Sequence, residues 1–95
     1  MSARKNIGEH DVFAIKHGAR LQWEDAQQAW LLLYPEGMVK LSESAAEILK
    51  RVDASASVNE MLQSLSDAYP GADLRADVIE LLETAYERGW IERRR

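Results

Sequence analysis

The sequence predicts one α+β domain, in which a three-stranded antiparallel sheet is followed by a three-helix bundle in a winged-helix-like order. Three observations lead to this prediction. Residues 20–41 contain stretches of strand length, separated by a polar loop and a Pro-Glu-Gly turn. From residue 45 onward, apolar residues recur at helical spacing in three segments. The 95 residues include no cysteine, so an apolar core rather than disulfides must stabilise the fold.

The central strand is predicted at residues 30–34, which are apolar at both parities, as in a strand covered on both sides. Residues 20–24 alternate polar and apolar side chains and form the first strand, with Leu21 and Trp23 facing the core. Residues 25–28 are polar and make the hairpin loop between them. The first and last strands are therefore the edges of the sheet.

The last strand is predicted at residues 38–41, after a tight turn at Pro35 and Gly37. Its side chains alternate between two faces, with Val39 and Leu41 on one and Met38 and Lys40 on the other. Lys40 has two interpretations. A lysine commonly guards an open sheet edge against aggregation, and it can equally attract an acidic peptide.

Three helices are predicted after the sheet. The first covers about residues 43–52 and follows a serine cap. The second starts at a capping-box pattern, Ser57 with Glu60. The third begins near Asp73 and runs to about Arg88, and a glycine follows it.

The third helix has an apolar arc of about 160°, which is wider than docking on one surface requires. One stripe contains Leu74, Val78, Leu81 and Ala85. The flank beside it contains Arg75, Ile79, Leu82 and Tyr86. Such an arc fits a helix wedged between two elements, and it also fits a helix whose second flank lines a groove. In a winged-helix arrangement this flank would face the last strand across that groove.

Both termini are predicted to lie outside the domain proper, which covers residues 19–91. Residues 1–18 show no sustained period and form an N-terminal arm. This arm is either frayed, with a few docking side chains, or covers the first strand or swaps onto a second protomer. Residues 92–95 form a basic C-terminal tail in solvent.

The charge distribution excludes some partners. The net charge is −4, and residues 41–95 hold seven basic and eleven acidic side chains. This acidic excess opposes a nucleic-acid surface, because phosphate contacts need a basic face. The chain shows neither a signal peptide nor an apolar run of membrane length, which predicts a cytoplasmic protein without a membrane partner.

The sequence shows no arrangement of residues that is typical of a catalytic or cofactor site. The five glycines are scattered, the serines lie at caps and loops, and His10 and His17 have no partners at metal-ligand spacing. The sequence thus predicts a binding module that is not an enzyme and uses no cofactor or metal. An edge strand offers unpaired N–H and C=O groups, which an extended peptide can complete.

Five segments of the chain form a distinctive set: RLQWE at 20–24, LLYPEGMVKL at 32–41, SAAEIL at 44–49, ADVIELL at 76–82 and RGWI at 88–91. Together they resemble the PqqD family, whose members are peptide chaperones of pyrroloquinoline quinone (PQQ) biosynthesis. The resemblance covers about residues 20–91 and is most specific in the segment that combines the turn, the last strand and the start of the first helix.

The resemblance implies a recognition element for ribosomally synthesised and post-translationally modified peptides (RiPPs). Such an element binds the precursor peptide PqqA as an added strand and presents it to the radical SAM enzyme PqqE, without a cofactor or chemistry of its own. In recognition elements the peptide lies between the third strand and the third helix. With the helical arc, this gives the candidate peptide-binding residues Met38, Val39, Lys40, Leu41, Arg75, Ile79, Leu82 and Tyr86.

Two other functions stay open on the sequence alone. A structural scaffold or dimerisation domain could dock on the enzyme without holding the peptide. A DNA-binding winged helix would need its third helix to approach phosphates. The acidic residues of that helix oppose this: Asp77, Glu80, Glu83 and Glu87. Both a monomer and a homodimer are compatible with the sequence.

Overall fold

The computed structural model describes residues 7–94, which form five strands and three helices. In chain order these are β1 (Phe13–Ile15), β2 (Arg20–Glu24), β3 (Ala29–Tyr34), β4 (Gly37–Lys40), α1 (Glu43–Asp53), α2 (Val58–Ala68), α3 (Arg75–Glu87) and β5 (Ile91–Arg93). The predicted α+β class, with three antiparallel strands ahead of three helices, is confirmed. The winged-helix label stays a prediction.

The main sheet has the order β2-β3-β4, and both pairs are antiparallel. Trp23 lies opposite Trp30 in the first pair, and Leu32 lies opposite Val39 in the second. The predicted meander and its central strand are therefore correct. Strand β4 pairs on one side only, so within residues 7–94 its other side is an open sheet edge.

One apolar core joins the sheet, the helices and the small β1–β5 ribbon. Alternate residues of a strand point to the same face of the sheet, and Leu32 lies on the face that is turned towards the core. The largest fully buried side chains come from six of the eight elements: Phe13, Leu32, Leu49, Met61, Leu82 and Ile91, with Val52, Val58 and Val78. This shared core fixes the helices relative to the sheet.

The helix starts follow local capping signals in two of three cases. Ser42 caps α1, and Ser57 and Glu60 form the predicted capping box of α2. Helix α3 differs from the prediction, because its N-cap is Leu74, which makes no side-chain hydrogen bond. Asp73 lies one residue too early for that position, and its carboxylate accepts a 3.4 Å hydrogen bond from the first backbone N–H of α3.

The N-terminal segment is part of the domain, which corrects the prediction of a separate arm over residues 1–18. Its strand β1 pairs antiparallel with β5, and Phe13 has 0% exposure in the core. The backbone N–H of Val58 donates to the carbonyl of Asp11 at 2.9 Å, which ties the segment to α2. Because β1 pairs with β5, it does not cover the first strand of the meander. Residues 1–6 and Arg95 of the predicted arm and tail lie outside the described residues.

The predicted solvent tail also needs correction at Arg93. Its guanidinium lies 5.4 Å from the ring of Phe13 and 5.7 Å from the ring of Tyr86, and one of its nitrogens is 3.6 Å from a carboxylate oxygen of Asp11. Stacking on two aromatic rings stabilises a desolvated guanidinium. Arg93 therefore holds β5, β1 and α3 together.

We predict that Phe13→Ala lowers the free energy of unfolding by about 3–5 kcal/mol, the usual cost of truncating a buried Phe. His17→Ala is the matched control, because His17 is exposed and lies just beyond β1. Its expected effect is within about 0.5 kcal/mol. Urea denaturation followed by circular dichroism measures both values. Parental stability of Phe13→Ala would show that the N-terminal segment does not stabilise the domain.

Candidate functional site

The open edge of β4 presents two residues whose backbone groups have no partner in the sheet. The N–H of Leu41 donates to the carbonyl of Trp30 at 2.9 Å, which marks a hydrogen-bonded pair. In an antiparallel ladder, hydrogen-bonded and non-hydrogen-bonded pairs alternate along the strand. Val39 therefore also bonds to β3, whereas the N–H and C=O groups of Met38 and Lys40 point away from it. The edge offers two donors and two acceptors.

The side chains of β4 alternate as the sequence predicts. Leu41 is buried and Val39 is half-buried, whereas Met38 is 60% exposed and Lys40 is exposed. The four predicted strand residues thus have different structural roles. Val39 and Leu41 attach the strand to the core, and Met38 and Lys40 supply the free edge.

The beginning of β4 lies next to the end of α3. The rings of Tyr34, the last residue of β3, and Trp90, after α3, have centroids 6.5 Å apart. The guanidinium of Arg88 lies 5.6 Å from the Trp90 ring. A cavity of about 210 Å³ is lined by the turn residues Pro35 and Glu36 together with Arg88.

The end of β4 lies next to the beginning of α3. Glu43 and Ser44, which follow β4 in the first turn of α1, share a cavity with Leu74 and Asp77 of α3 and its cap. The residues on either side of β4 thus lie beside opposite ends of α3. The surface between the open edge of β4 and α3 is called the groove.

Spacing identifies which flank of α3 borders this groove. Leu74, Asp77 and Arg88 line the cavities at the two ends, and positions three or four residues apart share a helix face. Leu81 and Thr84 lie between them on that face, and both are half-buried. The groove flank of α3 is thus centred on Leu81.

The flank of α3 that was predicted to line the groove contacts the N-terminal segment. Arg75 lies 3.3 Å from a carboxylate oxygen of Glu9, and the rings of Tyr86 and Phe13 have centroids 6.0 Å apart. Arg75 and Tyr86 of this flank therefore pack on the N-terminal segment. Leu82 has 0% exposure and belongs to the core, so it lines no open groove.

Ile79 lies on the same flank as Arg75, half-buried against the core. The apolar arc of α3 is wide because its centre is buried in the core and one flank packs on the N-terminal segment. The sequence contains no signal that the N-terminal segment packs there.

The charges near the groove are mixed. Lys40 lies on the edge, whereas Glu43, Glu47 and Asp77 lie around the end next to α1. Hydrogen bonds from Arg51 and Lys50 lower the pKa of Glu47, so this carboxylate stays ionised at neutral pH.

The described part of the chain contains neither a candidate metal site nor a helix able to span a membrane. Between residues 7 and 94, no group of three or more His, Asp or Glu side chains is arranged to hold a metal ion. None of the described helices has the length and apolar character that a membrane span requires.

An α+β domain with a free sheet edge belongs to a class of folds that can bind an extended peptide as an added strand. The family model described as coenzyme PQQ synthesis protein D (PqqD) matches residues 29–91. The PqqA binding protein of Azotobacter vinelandii is 48% identical over 84 residues, covering 87% of this chain and 91% of that protein. The PqqA binding protein of Acinetobacter baylyi is 45% identical over 83 residues, covering 86% and 84%.

A solved structure has the same architecture. It is the solution NMR structure of the PqqD truncation of Methylobacterium extorquens PqqCD, described as a functional, stand-alone RiPP recognition element. It matches with a TM-score of 0.76 and 28% identity, covering 92% of this chain and 95% of that one. The chain belongs to the PqqD family, which confirms the family predicted from its sequence segments.

We predict that Leu82→Ala destabilises the protein much more than Leu81→Ala does. Leu82→Ala should lower the free energy of unfolding by about 2–5 kcal/mol, because it leaves a cavity in the core. Leu81→Ala should cost about 1 kcal/mol or less, since Leu81 is only half-buried. Thermal and urea unfolding measure both. An equal or larger loss for Leu81→Ala would contradict the assignment of the two flanks.

Proposed function

We propose that this protein binds the precursor peptide PqqA along the open edge of β4 and acts as a noncatalytic chaperone in PQQ biosynthesis. The observation that carries the proposal is the pair of outward-facing backbones at Met38 and Lys40, beside α3. The names of the relatives support PqqA as the ligand. Family resemblance supports delivery of the bound peptide to the radical SAM enzyme PqqE in the cytoplasm.

Binding by strand addition explains why the edge is open. An extended peptide can bond to the N–H and C=O groups of Met38 and Lys40 and so add a fourth strand to the sheet. Each such hydrogen bond contributes about 0.5–1.5 kcal/mol net. These bonds fix the register of the peptide but read little of its sequence.

Side chains of the added strand would supply the specificity. Because a strand alternates, every second peptide residue would point into the groove towards Leu81 and Thr84, and the others would lie beside Met38 and Lys40. The groove side favours apolar residues, and Lys40 favours an acidic one directly opposite. The outward face of α3 carries exposed Glu80 and Glu87, which disfavours a DNA-binding function.

Lys40→Pro tests strand addition, since it removes one outward N–H and leaves the bonds of Val39 and Leu41 to β3. Proline is tolerated on a sheet edge where its nitrogen faces solvent. We expect the affinity for synthetic PqqA, measured by isothermal titration calorimetry, to fall by about tenfold or more through the lost bond and the blocked edge. Modification of PqqA by PqqE should fall with it.

Lys40→Ala is the matched control, because it removes the same side chain and keeps the N–H group. Its affinity should stay within a few-fold of the parent. Val39→Pro is a poor probe, since it breaks the β3–β4 pair itself. Parental affinity in a folded Lys40→Pro variant would contradict strand addition at β4.

A further inference from the structure

A cavity of about 270 Å³ opens between the three helices at the end of the groove. Its walls are mainly apolar and include the buried Ile48, Leu65 and Val78. Tyr69, at the end of α2, lines it with 42% of its surface exposed. An apolar cavity of this kind binds water weakly, and filling it with an apolar group is energetically favourable.

Carboxylates surround this helix cavity. Glu43 and Asp77 are exposed residues in the first turns of α1 and α3, and Glu47 lies between them. Glu47 is paired with Lys50 and Arg51. In the described part of the chain, Glu43 and Asp77 have no salt-bridge partner. The rim is thus suited to a cationic group next to an apolar one.

Two residues that line the helix cavity follow β4 closely along the chain. Glu43 and Ser44 follow Lys40 by three and four residues, and both line the cavity. An extended peptide covers about 3.3 Å per residue, so three or four residues beyond a strand paired with Lys40 are enough to reach it. No strand pairing is available there, because the chain is already helical at Glu43.

We propose that the helix cavity binds a large apolar side chain of the same peptide, from the segment that continues past the Lys40 end of β4. A lysine or arginine next to that side chain pairs with Glu43 and Asp77. The peptide is therefore held at two places, by its backbone on the edge and by one anchor side chain between the helices. This inference rests on the proposed function and adds to it a rule for peptide selection.

Ser44→Trp tests the anchor, because the indole would occupy the mouth of the helix cavity from an exposed helical position. We expect the affinity for synthetic PqqA to fall by about tenfold or more, which corresponds to losing the burial of one large apolar side chain. Gln63→Trp, at an exposed position on α2, is the control and should bind with parental affinity. Thermal unfolding checks that both variants fold.

A double-mutant cycle identifies the occupant of the cavity. Each apolar residue of PqqA is replaced by alanine and titrated against the parent and against Ser44→Trp. We expect one peptide position whose replacement weakens binding to the parent about tenfold but has little further effect on Ser44→Trp. If no position shows this coupling, the anchor assignment is wrong.

The acidic rim is tested by a pair of charge-matched variants. Glu43→Gln with Asp77→Asn should weaken PqqA binding several-fold at low salt and reduce its salt dependence. Glu80→Gln with Glu87→Gln makes the same change of net charge on the outward face of α3 and should have little effect. Equal effects of the two double variants would overturn the role of the rim.

The experiments separate this inference from the proposed function. If Lys40→Pro weakens binding and Ser44→Trp does not, the cavity carries no anchor, and strand addition stands. If neither variant weakens binding, strand addition fails as well. If Ser44→Trp weakens binding of the chain to PqqE while its affinity for PqqA is parental, the cavity belongs to the enzyme contact and the inference is overturned.

Discussion

The hydrogen-bonded register between β3 and β4 is the constraint on which the rest of this structure depends. The bond from the N–H of Leu41 to the carbonyl of Trp30 decides which backbone groups of β4 face inward. A slip of one residue would exchange the two faces of the strand, placing Met38 and Lys40 against the core and exposing Val39. Burial of Val39 and Leu41 against the core therefore fixes both the fold and the identity of the free edge.

Helix α3 belongs to the core and to the groove at once. Val78, Leu82 and Ala85 are buried along its centre, and one flank packs on the N-terminal segment while the other borders β4. A helix that is packed along its centre and on one flank cannot readily shift, so core packing sets the position of α3. In the proposed binding mode, this rigidity lowers the entropic cost of binding, because the protein surface is already ordered. The same helix would then serve both stability and recognition.

Local signals predicted most of the architecture, and long-range packing caused the errors. The turn at Pro35 and Gly37 and the capping box at Ser57 each depend on a few adjacent residues, and these predictions are confirmed. The β1–β5 ribbon joins residues at opposite ends of the chain and has too few residues for a period. Missing it left the N-terminal segment out of the predicted packing around α3, where Phe13 contacts Tyr86.

The most direct test of the central claim is amide hydrogen exchange at single-residue resolution, with and without PqqA. In the free protein, we expect slow exchange for the N–H groups of Val39 and Leu41, which bond to β3, and fast exchange for Met38 and Lys40. Saturating PqqA should slow exchange at Met38 and Lys40 by about tenfold or more, since both N–H groups would then be hydrogen-bonded. Unchanged exchange at these two residues in a peptide-bound protein would contradict binding by strand addition at β4.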